Sequence, residues 1–142
     1  MSQALPRRMA RAEVKSNRRR GGDIRVVLGP ATVGATSGFL GSLVLAPGES
    51  VSEHYHPYSE EYLYVVRGSA VVQVDGEPVE LAAEEGLLMP IGVRHRVENH
   101  GPDEMSAVFF LAPLAPRPDL GHVDTEPVPI PAGPDSPVGG AR

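Results

Sequence analysis

Short runs of apolar or alternating residues follow one another through the middle of the chain. They are IRVVL (24–28), FLGSLVL (39–45), EYLYVV (61–66), SAVVQV (69–74), PVEL (78–81), GLLMP (86–90), HRVEN (95–99) and SAVFFL (106–111). Each has strand length, and Pro-Gly, Arg-Gly, Asp-Gly and Gly-Pro pairs punctuate them. Asp75-Gly76 sits between two runs and predicts a type I′ hairpin, whose two central residues need positive φ. No sustained helical period competes, so about eight short strands predict a sandwich or small barrel. In EYLYVV the alternation puts Glu61, Leu63 and Val65 on one face and Tyr62, Tyr64 and Val66 on the other. A bare row of such outward residues is seldom left uncovered, which predicts a homodimer that covers part of this row or of IRVVL.

The ends lack this pattern. Residues 1–22 read as an arm with a short helical turn around Met9 to Val14, 23–115 as the barrel domain, and 116–142 as a tail. The stretch EPVPIPAGPDSPVGGAR is too rich in Pro and Gly to bury a core and reads as extended or disordered, with Val128 and Ile130 free to drape over the surface.

Composition narrows the picture. The 142 residues suit one domain, and the absence of cysteine excludes disulfides and thiolate metal sites and fits a cytoplasmic home. A net charge of −5 argues against a nucleic-acid partner. The basic run Arg18, Arg19 and Arg20 reads as a solvated arm, with docking of an acidic partner as the sharper alternative. No apolar run reaches membrane-spanning length, and the N-terminus carries no apolar signal region.

The chemistry concentrates in few positions. His54 and His56 lie two apart, so on a strand they share a face about 7 Å apart at the backbone. A bend at Pro57–Ser59 carries the chain to Glu61, and His95 opens a new strand after the Pro90–Gly92 turn. Three imidazoles and a carboxylate are costly to bury unpaired. A divalent cation offsets that cost, and the donors suit zinc, iron, nickel, manganese or copper; a hydrogen-bonded polar patch at a barrel mouth is the alternative. Tyr58, in the bend, is a candidate to reach a substrate carbonyl. Leu63, Val65, Met89, Val97 and Phe109 are candidate pocket walls that serve equally as core. Tyr55, Tyr62 and Tyr64 point away from the ligand face, Arg94 and Arg96 read as salt-bridge residues, and His100 and His122 as solvent-exposed or capping.

Gly48, five residues, His54-x-His56, four residues, Glu61, six residues, Gly68 resembles the first cupin motif at every position. Pro90-x-Gly92-xx-His95-xxx-Asn99 resembles the core of the second, although Glu84 stands where that motif usually opens with glycine. This resemblance implies an all-β fold, a small jelly-roll-like cupin β-barrel of two antiparallel sheets with flexible termini and an interior metal. From about Arg19 to Leu111 the chain is also similar to single-domain aromatic polyketide cyclases of the tetracenomycin and resistomycin type. That likeness implies ring closure of a carrier-bound poly-β-ketone, synthase subunits as partners, zinc as the metal (with Fe2+, Ni2+ or Mn2+ as alternatives) and a homodimer. His54, His56, Glu61 and His95 would then act through the metal, which as a Lewis acid steadies the enolate formed in aldol closure. The rival readings are an iron-dependent dioxygenase with the same donor set, and a non-catalytic small-molecule binder or chaperone-like subunit of the synthase.

Overall fold

A computed structural model of the chain describes residues 5–131. In order come β1 (Asp23–Leu28), α1 (Pro30–Val33), β2 (Phe39–Leu45), β3 (Ser50–Tyr55), β4 (Glu60–Arg67), β5 (Ala70–Val74), β6 (Glu77–Leu81), β7 (Gly86–Met89), β8 (His95–Glu98), β9 (Met105–Ala112) and β10 (Val123–Asp124). All eight runs read from the sequence are strands. So is the segment that carries His54. A 3-10 turn at Arg11–Glu13 falls where the arm's helical turn was expected.

Two five-stranded antiparallel sheets face each other, in the orders β1-β2-β9-β4-β7 and β10-β3-β8-β5-β6. The chain crosses between them at every connection except the β1–β2 and β5–β6 hairpins, so all other paired strands are distant in sequence. The inward rows meet in a packed core in which Leu45, Val65, Val72 and Met105 are wholly buried. Asp75 and Gly76 have φ of 49° and 84° and join β5 to β6, the positive pair that a type I′ turn requires. Glu84 takes a left-handed φ of 67° and donates its N–H to Val65 O, so the turn before β7 keeps a glycine-like backbone without glycine. Gly41 is required within β2 because a Cβ there would meet the Phe109 ring at 2.4 Å.

The segments on either side of the barrel pack onto it. Asn17 bridges to Ile24, Arg20 O accepts from Ser52 N, and Ile130 N donates to Arg19 O. Arg20 is only 4% exposed and forks onto Asp124 through Nε (2.7 Å) and Nη2 (3.3 Å). The reading of all three arginines as a solvated arm is therefore corrected for Arg20, whose partner lies 104 residues away and has no local signal. Val123 and Asp124 extend the second sheet as β10, opposite Tyr55 and His54. The part of the expected disordered tail at residues 132–142 lies outside the described residues, as do residues 1–4.

Candidate metal centre

The centre forms where the two sheets come together at one end of the barrel. His54 sits on β3 opposite His95 on β8, just after a bulge between Val51 and His54 that re-aims the strand. Glu61 enters from the other sheet on β4, between Met89 and Leu111. His56 follows the end of β3, and its carbonyl accepts from Gly92 N at 3.0 Å, which ties the bend to the Pro90–Gly92 turn. The two sequence motifs thus meet through backbone as well as through side chains.

One donor atom from each of His54, His56, Glu61 and His95 lies within 4.8 Å of the others, and all four residues are buried. Each imidazole is oriented by a backbone carbonyl. His54 Nδ1–H donates to Ser52 O (2.7 Å), His56 Nδ1–H to Gly121 O (2.9 Å) and His95 Nδ1–H to Val93 O (3.1 Å). A carbonyl only accepts, so Nδ1 carries the proton in all three rings, and a neutral ring then has its lone pair on Nε2. Glu61 Oε1 is 3.1 Å from both His56 Nε2 and His95 Nε2. His95 Nε2 is nonetheless buried without hydrogen-bond geometry to any partner. Lone pairs facing each other at this distance need a proton or a cation among them, and this fits the four residues to a metal.

The electrostatics agree. Burial raises the Glu61 carboxyl, but His95 and His56 outweigh it and hold the group well below the usual carboxylate range. Burial lowers His95, yet the Glu61 charge prevails and holds it above its ordinary value. His54 goes the other way, pushed well down by burial and by the charges of His95 and His56. Donors of nitrogen and oxygen type, with no sulfur, suit a borderline divalent ion.

The four residues open into a cavity of about 60 Å3, several times the ~10–15 Å3 that a water requires. Its far wall is apolar, and includes Val26, Phe39, Leu43, Val97, Phe109 and Leu111. Phe39 and Phe109 pack edge to face at 6.1 Å. Of the wall candidates read from the sequence, Val97 and Phe109 line the cavity, whereas Leu63, Val65 and Met89 are buried in the core behind it. Leu63 and Val65 share Glu61's face, but each two-residue step along β4 moves about 7 Å away from the centre. Tyr58 is 43% exposed in its bend and does not line the cavity. Arg96 pairs with Glu98 and Glu126, and His100 is exposed beside Glu98, as expected. Arg20 and His122 also line the cavity, which corrects the reading of Arg20 as part of a solvated arm and of His122 as solvent-exposed or capping. The inward alternation around β10 was the one available signal, and two residues are too few to show a period.

The Cupin domain family matches residues 41–111. The tetracenomycin polyketide synthase protein TcmJ of Streptomyces glaucescens is 55% identical over 137 residues, 96% of this chain and 92% of that protein. The polyketide synthase CurC of Streptomyces cyaneus is 56% identical over 126 residues, 89% of this chain and 82% of that protein. Among solved structures, the polyketide cyclase RemF from Streptomyces resistomycificus superimposes with a TM-score of 0.69 at 17% identity, covering 89% of this chain and 90% of that one. At that identity the likeness is one of fold.

Proposed function

The chain belongs to the cupin family, and on that premise we propose that it is a metal-dependent cyclase, which folds and closes rings of a poly-β-ketone in aromatic polyketide biosynthesis. The observation that carries this reading is the buried set His54, His56, Glu61 and His95, each ring held with Nε2 inward, in a cavity whose remaining lining is apolar apart from Arg20 and His122. The extensive identity to polyketide synthase proteins supports a polyketide as the substrate class.

The four residues hold one divalent ion, zinc by the resemblance, with Fe2+, Ni2+ or Mn2+ as alternatives. Such an ion supplies Lewis acidity toward the oxygens of a 1,3-dicarbonyl and steadies the charge that develops when the carbon between them loses a proton. Glu61, held as a carboxylate, would offset part of the ion's charge. Val97, Phe109 and the surrounding apolar wall exclude water and limit how a chain can bend, which favours one ring-closure register. The cavity takes the reacting segment alone, so the rest of a carrier-bound chain stays outside it, and the exposed Tyr58 would be the residue that reaches a carbonyl there. A second copy of the chain covers the outer apolar face of the first sheet, where Leu40, Phe110, Tyr62 and Leu88 lie in register and are exposed. A cytoplasmic location follows the synthase that delivers the substrate.

The test is reconstitution of the minimal synthase under anaerobic conditions with zinc-loaded, iron-loaded and metal-free protein, followed by product analysis. Zinc-loaded protein is expected to impose one register without oxygen. An absolute need for iron and oxygen would replace the cyclase with a dioxygenase. Equal register control by metal-free protein would leave a shaping subunit with a structural metal.

A further inference from the structure

His122 lies outside both sequence motifs and outside the four-residue donor set, yet it lines the same cavity. Its position is dictated by β10. This strand pairs antiparallel with β3, with Val123 opposite Tyr55 and Asp124 opposite His54. Alternation turns Val123 outward, where it is exposed, and turns His122 and Asp124 inward. The backbone on both sides is pinned. Gly121 O accepts from His56 Nδ1, Asp124 is held by the buried Arg20, and Thr125 bonds Glu53 through both its N–H (3.1 Å) and its hydroxyl (2.7 Å). The imidazole is therefore presented to the cavity by a fixed strap.

We propose that His122 is a specificity-determining residue that hydrogen-bonds a substrate carbonyl next to those held at the metal centre. The inference rests on the cyclase reading above. A poly-β-ketone repeats a carbonyl at every second carbon, so any neighbouring pair fits the centre equally well. Something beyond the centre has to select which pair enters. A neutral imidazole offers one N–H donor, and the far wall of the cavity is apolar. A third carbonyl next to the bound pair is met by His122, and this favours a pair flanked by a further carbonyl over a pair at the end of the chain or beside a position already reduced or cyclised. A diketone has no third carbonyl and is indifferent to His122.

The experiment compares zinc-loaded wild type with His122→Leu and His122→Gln. Binding of acetylacetone, a diketone, and of heptane-2,4,6-trione, a triketone, is measured by ultraviolet difference titration, and zinc content and melting temperature are recorded in parallel. In His122→Leu the triketone affinity is expected to fall roughly tenfold, the scale of one hydrogen bond in a dry site, with diketone affinity and zinc content unchanged. His122→Gln, which keeps an N–H donor, should restore most of the loss, and the synthase product ratio should follow the triketone affinity. Unchanged triketone affinity in His122→Leu overturns the inference and leaves the cyclase reading intact. Loss of zinc in both variants overturns it in favour of a supporting role for the strap. Failure of zinc-loaded wild type to bind either ketone more tightly than metal-free protein overturns the cyclase reading, and the inference with it.

Discussion

The two faces of β4 contrast sharply. Inward, Glu61, Leu63 and Val65 are buried, and Glu61 joins three histidines in the interior. Outward, Tyr62, Tyr64 and Val66 are 43–45% exposed, and Tyr62 continues a row through Phe110 to Leu40 on one side and to Leu88 on the other. The usual distribution is inverted at both places, with polar groups in the interior and large apolar groups at the surface. Ordinary core explains the Leu63 and Val65 end of the strand, and neither exception. Burial without partners is unfavourable for the first exception and water contact for the second. On the proposed reading each would be accounted for by something the chain itself does not contain, an ion on one face and a second copy of the chain on the other.

The largest expected effect attacks the inner exception. The double variant His54→Ala, His95→Ala should lose its metal, read by elemental analysis. It should also lose the stabilisation that metal confers on the wild type, about 4 kcal/mol at a thousandfold excess over Kd, read by thermal melts with and without metal. Full metal occupancy in this variant would break the comparison. A somewhat smaller effect separates core from centre. Leu63→Ala should cost about 3 kcal/mol in denaturant unfolding, the range for buried leucines, with metal content unchanged. Loss of metal here would mean that the site depends on the core two residues away. The smallest stability effect belongs to the outer face. Phe110→Asp with Tyr62→Asp should cost the isolated subunit about 1–2 kcal/mol, because it removes a cross-strand aromatic pair and sets two carboxylates opposite each other, while light scattering shows a dimer in wild type and a monomer in the variant. A wild type that is monomeric at micromolar concentration would remove the outer half of the comparison.

How much of this was legible beforehand follows from the range of the interactions. The strands are written in local alternation, and β4 reads correctly to the residue on both faces. The Asp75-Gly76 turn is equally local. The four residues of the centre were legible because glycine and proline spacing frames them, even though the pairs that bring Glu61 to His95 join different sheets. Glu84 shows a limit of such framing, since the backbone holds the left-handed shape with a residue that does not advertise it. Arg20 and His122 were invisible for a different reason. Their inward placement comes from β10 docking on β3 and from the Arg20–Asp124 pair, contacts between segments at opposite ends of the described chain. Nothing periodic marks either segment.

The carbonyls that orient the three imidazoles differ in where they come from. Those serving His54 and His95 belong to Ser52 and Val93, each two positions back in the same stretch of chain. The one serving His56 belongs to Gly121, 65 positions on. For protein engineering this divides the centre into transferable and non-transferable parts. A tripeptide cassette ending in histidine carries its own ring orientation and can be grafted onto another antiparallel pair in the same register. His56 cannot be moved in this way. A minimised barrel trimmed after β9 would keep the residue and lose its anchor, so it would inherit two aimed imidazoles and a third left free to rotate.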